Sequence, residues 1–385
     1  MKAYSSEKLE NGLLVAEAKR LFKMKFISKE QLMTAIAELP LLQSSSIFIR
    51  FGFFLLGVFL FSSIAGFLSL IFGQLLDSHF NIMVYFYAFI GFIGIEILVK
   101  NEYYRHGWDD AFIVLTQASF CGAVGIHSES LVSVFAVMFV MGFLSCIRYV
   151  NTLSALLSCV GLVGFFFTLI TEFKVISSLY LPFVGLVLAA VIYYVFYSFS
   201  TNAKFFIYRN ALQFTKIFSL VLAYASVNYM VVRELSESLM GIVVEKGNDI
   251  PLAFLFYGLT FLIPLTYIYY SLQKKDRTVL TIGLLTLGYS FFTIRYYYSL
   301  MPPEMALVLA GLLLFAISFF AIKKLQHKET GITFQPDRDS NSNLMLNAQA
   351  LIINSQISTK AHVAPESKMP FGGGGFSGGG AGESF

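Results

Sequence analysis

Charge is what this chain has least of: Asp, Glu, Lys and Arg make up 13% of its 385 residues, against about 25% in soluble domains. A surface so poor in charge cannot be solvated by water alone over a chain of this size. Cysteine occurs three times, as Cys121, Cys146 and Cys159, each inside an apolar run and none in a C-x-x-C pair. That excludes a disulfide framework or a zinc knuckle and leaves three inert buried thiols. Catalytic signatures are absent too. The sequence has no G-x-S-x-G, no H-E-x-x-H and no lysine and hydroxyl after a glycine run, so no nucleophile, zincin or P-loop chemistry is expected. No paired Ser and His or two Asp stand at mid-span, which argues against an intramembrane protease. The expectation is a protein that is not an enzyme and that holds no cofactor and no metal.

What is present is hydrocarbon. Apolar residues reach 57%, 42 residues are Phe, and mean hydropathy is +0.71. Runs long enough to cross about 30 Å of lipid as helices fall near 47–75, 82–99, 108–126, 130–147, 152–170, 178–198, 215–232, 251–271, 279–298 and 304–322. The runs are continuous rather than alternating, which excludes a membrane β-barrel. The fold expected is all-α: a polytopic transmembrane helix bundle of about ten spans over 47–322. A short N-terminal helical hairpin over 1–46 precedes it, and a disordered tail over 323–385, Gly-rich at 372–382, follows it.

Ten spans put both termini on one side. With that alternation, all Lys and Arg except Lys174, Arg233, Lys246 and Arg295 fall on the side of the termini. By the positive-inside rule that side is cytoplasmic, so the expected location is the inner (plasma) membrane. No cleavable signal peptide is expected at the start, since the first 46 residues are charged and amphipathic.

The cytoplasmic ends carry patterns of their own. Leu14, Ala18 and Leu21 recur at helical spacing with Val15 and Phe22 beside them, over 7–24. Ser28 and Gln31 make a capping box for a second helix with Leu32, Ala35, Ile36 and Leu39 on its stripe and Pro40 as its stop. Glu7, Glu10, Glu17, Glu30 and Glu38 dilute any basic face, so nucleic acid is not an expected partner. The "LVAEAKRLFKMKFISKEQLMTAI" pattern ahead of a multi-span bundle resembles a family of bacterial membrane proteins of unknown function that also open on a helix pair with a Ser-x-x-Gln start. The closing "MPFGGGGFSGGGAGESF" has no following helix or lysine, which excludes a phosphate cradle. Its glycine blocks, broken by Phe371, Phe376 and Phe385, resemble the tails of bacterial membrane-anchored proteins with a TPM domain; that domain is missing here, and only the tail style is shared.

Few side chains inside the spans could carry chemistry. Glu96 lies one turn from Lys100, and an i,i+4 ion pair accounts for it as well as a relay in a transport path would. In "NEYYRHGWDD", His106, Asp109 and Asp110 could bind a cation or move a proton, or the two carboxylates could open a helix beside the interfacial anchor Trp108. Asn228 and Gln117 read as interhelical hydrogen-bond glue. Gly122 and Gly125, and Gly161 and Gly164, read as close-packing points. Pro264 should bend the eighth span and free a carbonyl near mid-membrane, and the kinked helix, with Thr260 and Thr266 nearby, could line a cavity. Arg295 faces the outer side, with a carboxylate as its expected partner.

Two functions fit. A scaffold or assembly protein would recruit a cytoplasmic partner through 1–46 or 369–385. A transporter or channel would carry a small neutral or lipid-like solute, since buried charge for ion coupling is scarce. A cavity at mid-membrane would favour the second.

Overall fold

A computed structural model of the chain describes residues 2–23, 27–37, 39–72, 80–174, 176–240 and 249–297, with isolated positions between 305 and 323. The Gly-rich tail lies outside the described residues, as does most of the tenth expected span. Among the described residues every regular element is helical. The helices are α1 (Ser6–Lys23), α2 (Lys29–Ala37), α3 (Ile47–Phe72), α4 (Phe80–Lys100), α5 (Trp108–Ser128), α6 (Leu131–Tyr149), α7 (Thr152–Phe173), α8 (Leu181–Ser200), α9 (Arg209–Val227), α10 (Tyr229–Met240), α11 (Ala253–Lys274) and α12 (Arg277–Tyr297).

Eight of them, α3 to α8 with α11 and α12, are long and apolar enough to cross a membrane. Their surfaces stay apolar outside the bundle: Phe48 is 87% exposed, Leu70 84% and Phe254 91%. Helices this hydrophobic on their outer faces suggest a protein embedded in lipid, where such exposure costs nothing. The seventh expected span departs from the expectation. It is a pair, Lys204–Val227 and Tyr229–Glu237, bent by 69° at Asn228.

The chain divides into two compact units. The larger comprises Met1–Leu13 and Leu41–Ser340 and contains the bundle. Its N-terminal residues are fastened to the helix ends: Ala3 N–H donates to the Arg148 carbonyl at 2.8 Å, and Tyr4 Oη to the Tyr103 carbonyl at 2.7 Å. Lys8 pairs with Glu102, and Leu9 is buried in the same cluster as Phe112 and Tyr149. Leu14–Pro40 belongs to the other unit. There the expected capping box is formed, Gln31 N–H donating to Ser28 Oγ at 3.2 Å and Ser28 N–H to Gln31 Oε1 at 2.8 Å.

Within the bundle, close approach depends on missing side chains. A Cβ on Gly142 of α6 would stand 2.7 Å from the Ser158 backbone nitrogen of α7, so any larger residue would push the two helices apart. Gly161 and Gly164 press on Phe139 and Phe135 of α6 in the same interface. Gly122 does not fit its expected role, because nothing lies within 4 Å of the Cβ position.

Polar contacts gather at one end of the bundle. Arg50 at the start of α3 meets Asp110 at the start of α5, and Arg148 at the end of α6 meets Glu96 near the end of α4. Tyr208, before α9, donates to the Ile147 carbonyl at 2.8 Å. Lys216 in α9 pairs with Asp276 between α11 and α12.

Candidate functional site at the broken span

The break follows from one residue. Asn228 takes extended backbone angles, φ −67° and ψ 127°, where α9 ends. Its side-chain Oδ1 accepts from the N–H groups of Met230 at 3.1 Å and Val231 at 3.3 Å. It is therefore the N-cap of α10, a position that asparagine fills well because its short carbonyl reaches the first unpaired amides. Its own N–H still donates to the Tyr224 carbonyl at 2.9 Å. In an apolar interior such pairing is required, since each unpaired backbone group would cost several kcal/mol.

The rest of the asparagine reaches across the bundle. Nδ2 donates to Tyr224 Oη at 2.9 Å and to Thr293 Oγ1 of α12 at 3.1 Å. Asn228, Thr293, Thr260 and Ser290 are all completely buried. The interhelical glue expected of Asn228 is there, and the same side chain also ends one helix and begins the next.

Pro264 joins the network indirectly. A proline donates no N–H, which frees the carbonyl of Thr260 one turn earlier. That oxygen accepts from Ser290 Oγ of α12 at 2.6 Å, and Ser290 is itself 2.8 Å from Tyr224 Oη. Thr260 Oγ1 accepts from Tyr229 N–H at 3.0 Å, directly after the break. The missing hydrogen bond in α11 and the missing turn after α9 are thus repaired by the same few residues. Ser290→Ala should destabilise the protein by about 1–3 kcal/mol, the cost of stranding a buried carbonyl. In a Pro264→Ala background, where residue 264 supplies the N–H, the part of that cost due to the Thr260 carbonyl should vanish and the part due to the Tyr224 hydroxyl should remain; a double-mutant cycle by thermal unfolding measures it.

Another face of α10, buried against α11 and α12, carries a second set. Tyr229 Oη and Tyr257 Oη both donate to Asp249 Oδ1, at 2.7 and 3.2 Å. Arg233, one turn from Tyr229, donates to its hydroxyl at 3.0 Å, and its guanidinium lies 4.7 Å from the Tyr297 ring centroid. Tyr297 Oη donates to Glu234 at 2.9 Å. Arginine stacked on an aromatic face while its N–H groups are satisfied is an arrangement this side chain favours in partly dry surroundings.

Between α7, α8, α9 and α10 lies a partly open pocket of about 100 Å³. Leu222, Ala225 and Ser226 line it from before the break, Val231, Val232, Leu235 and Ser236 from after it. Phe167, Leu181 and Pro182 line it from α7 and α8. Its two hydroxyls are already spent, Ser226 on the Leu222 carbonyl and Ser236 on the Val232 carbonyl, each at 2.7 Å. What remains is an apolar wall.

The other expected site residues sit elsewhere. Glu96 pairs with Arg148 rather than with Lys100: both guanidinium Nη2 contacts, at 2.8 and 2.9 Å, and a Tyr149 Oη donor at 2.6 Å converge on its carboxylate. The planar fork of an arginine matches a carboxylate better than a lysine on the same helix can. Asp109 accepts from the N–H groups of Arg105, His106 and Gly107 at 2.6, 3.0 and 2.9 Å, and so holds the turn that leads into α5. That turn needs Gly107, at φ 115°. Asp110 takes another course, receiving Arg50 Nε at 2.5 Å and Nη2 at 2.8 Å together with Asn151 Nδ2 at 2.8 Å.

His106 is stacked on Phe53 with ring centroids 4.4 Å apart. Burial holds it below its ordinary value, so the ring is neutral at pH 7. Beside it, burial pushes Tyr104 up to about 12. His106, Asp109 and Asp110 therefore do not converge on one point, and among the described residues no group of three His, Cys, Asp or Glu could hold a metal ion. Gln117 donates to Ser154 Oγ at 2.8 Å across α5 and α7. Arg295 is exposed near the end of α12, and among the described residues it forms no ion pair.

Compared with family models, curated proteins and solved structures, the chain matches none. The residues of the break that sequence reading missed are Tyr224, Tyr229, Arg233, Ser290 and Thr293. One signal was available: Asn228 directly before "YMVVRELSE", where the 229, 233 and 237 positions recur at helical spacing with polar side chains.

Proposed function

We propose that the protein moves a small neutral or lipid-like solute across a membrane, with the α9–α10 break as the working part. The observation that carries the reading is the cavity lined by both halves of a broken span. Interrupted helices at the interior of a bundle are a recurrent means of building transport sites, because irregular backbone survives in lipid only where protein or a cavity surrounds it. The solute class follows from the wall. With its hydroxyls engaged and no charge on it, the cavity suits hydrocarbon and not an ion or a sugar.

The arrangement also agrees with ten crossings. Lys216, early in α9, meets Asp276 where α11 ends, while Asn228, at the far end of α9, meets Thr293 late in α12. The bent pair then carries the chain from one end of the bundle to the other as a single crossing. Adding 304–322 gives both termini on the Lys- and Arg-rich side, which the positive-inside rule assigns to the cytoplasm of a bacterial inner membrane. The reading involves no chemical step, and the bilayer is the protein's first partner.

The test is translocation of a short-chain fluorescent phospholipid in proteoliposomes, followed by quenching from outside. Wild-type protein should accelerate it over empty vesicles. Ala225→Trp, which fills the cavity, should reduce it several-fold, whereas Val221→Trp, on an exposed position of the same helix, should not. Equal rates in empty and wild-type vesicles would sink the reading for this solute class. A second reading, a scaffold, is favoured by one observation: Leu14–Pro40 falls in a unit separate from the bundle, with Met33 57% exposed. Loss of a co-purifying complex on deleting 14–40 or 369–385, with translocation intact, would support it.

A further inference from the structure

We propose that the inner side of the α9–α10 bend seats one acyl chain of a bilayer lipid, and that it reads the chain and not the headgroup. The proposal rests on the transport reading and names its substrate. Leu222, Ala225 and Ser226 precede the bend and Val232, Leu235 and Ser236 follow it, yet all six line one pocket. On a straight helix Leu222 and Ser236 would stand about 21 Å apart along the axis. The bend of 69° is what turns both arms toward the same space.

Water is a poor occupant of that space, because it needs roughly two to four polar partners. Both serine hydroxyls donate to carbonyls of their own helices, and every other lining side chain is apolar. An empty pocket is poor too, since its lining then lacks atoms to touch on one side. What stands at the rim is hydrocarbon. Leu235 is itself exposed, Val221 is exposed one turn before Ala225, and Phe166 is exposed beside Phe167. The pocket wall therefore continues into the apolar outer surface of the bundle. In a bilayer, the nearest material able to fill it is an acyl chain.

Size limits the occupant to part of a molecule. A cavity of about 150 Å³ holds benzene, so the pocket, at about 100 Å³, admits a few methylenes and not a phospholipid. Its lining carries no charge for a headgroup. Arg233 is the one cation of α10, and it is buried, with its guanidinium on Tyr229 Oη and the Tyr297 ring. A phosphate would have to displace those contacts, whereas a chain displaces nothing.

The experiment maps where a chain goes and needs no translocation. The full-length protein is placed in phosphatidylcholine nanodiscs with small fractions of a lipid bearing a diazirine near the end of one acyl chain. The probe is made with the same chains as a phosphatidylcholine, a phosphatidylglycerol and a diacylglycerol. After illumination, adducts are located by mass spectrometry. Val232 is the reporter, because it lines the pocket and is only 4% exposed, out of reach of lipid that merely surrounds the bundle. Exposed Val191 of α8 reports that surrounding lipid. Val232 labelling should saturate at low probe fractions and be equal for all three probes, while Val191 labelling should rise in proportion to the probe. Ala225→Leu, which adds bulk inside the pocket, should reduce Val232 labelling several-fold. Val221→Leu, outside it, should leave the labelling unchanged; thermal unfolding checks that both variants are folded.

Labelling of Val191 without Val232 overturns the proposal, as does Val232 labelling that survives undiminished in Ala225→Leu. A several-fold preference for one headgroup overturns the claim that the chain alone is read. Labelling of Val232 by a benzene-sized diazirine and by none of the lipids also overturns it, and makes the occupant a free small hydrocarbon. If Val232 is labelled and no lipid analogue is translocated, the transport reading fails while the site stands. Translocation without Val232 labelling has the opposite meaning.

Discussion

Arg50→Ala is expected to destabilise the bundle by about 3–5 kcal/mol, the usual cost of removing one partner from a buried ion pair. The loss is large because of what stays behind. Asp110 is 2% exposed and takes three of its hydrogen bonds from outside its own helix, two from Arg50 and one from Asn151. Without the guanidinium its charge has only an amide for company in an apolar surrounding. Arg50→Lys should recover part of the loss, since an ammonium restores charge but not the two parallel bonds. The double replacement Arg50→Met with Asp110→Leu should be far milder than Arg50→Ala alone, because no charge is then stranded. Thermal unfolding in detergent and the corresponding double-mutant cycle give these values. An Arg50→Ala protein within about 1 kcal/mol of wild type would mean that the pair contributes less than a buried pair should.

The second large effect is expected at Asn228. Asn228→Ala removes an N-cap, worth about 0.5–2 kcal/mol, and takes a partner from each of Tyr224 and Thr293, at about 1 kcal/mol for each net hydrogen bond. The expected sum is about 2–4 kcal/mol of stability, and in the transport reading the break that lines the pocket is lost with it. Thr293→Val removes one branch of the network only and should cost about 1 kcal/mol. A lipid-translocation rate that falls to the empty-vesicle level in Asn228→Ala but stays near wild type in Thr293→Val would separate the α9–α10 break from general stability. Comparable losses in both would point to destabilisation alone.

Much of the architecture was legible because it depends on local quantities. Apolar content over a window sets whether a segment prefers lipid, and eight of the expected spans are long apolar helices at nearly the expected positions. The Ser28–Gln31 box is readable because its two partners are three residues apart. Pro264 points to a freed carbonyl near mid-span, since the helix hydrogen bond that a proline removes is local. Legibility ended where the partner lies far along the chain. Spacing along the helix pairs Glu96 with Lys100, its neighbour in sequence, whereas Arg148 stands 52 residues away and beside it in space. The destination of the freed Thr260 carbonyl, Ser290, was invisible for the same reason.

The sequence by itself determined that this chain is a set of apolar helices in need of a non-aqueous surrounding, and roughly where each begins and ends. Hydropathy and capping act within a turn or a span, so no knowledge of neighbours is needed to read them. Only the tertiary structure decided that the run 204–237 is two helices bent by 69° at Asn228. The same asparagine in a run as apolar as 215–232 could face lipid, another helix or its own backbone. The choice depends on Thr293, Thr260 and Tyr224 arriving together at one depth, which is a property of how the helices are rotated and packed against one another, and no local pattern records it.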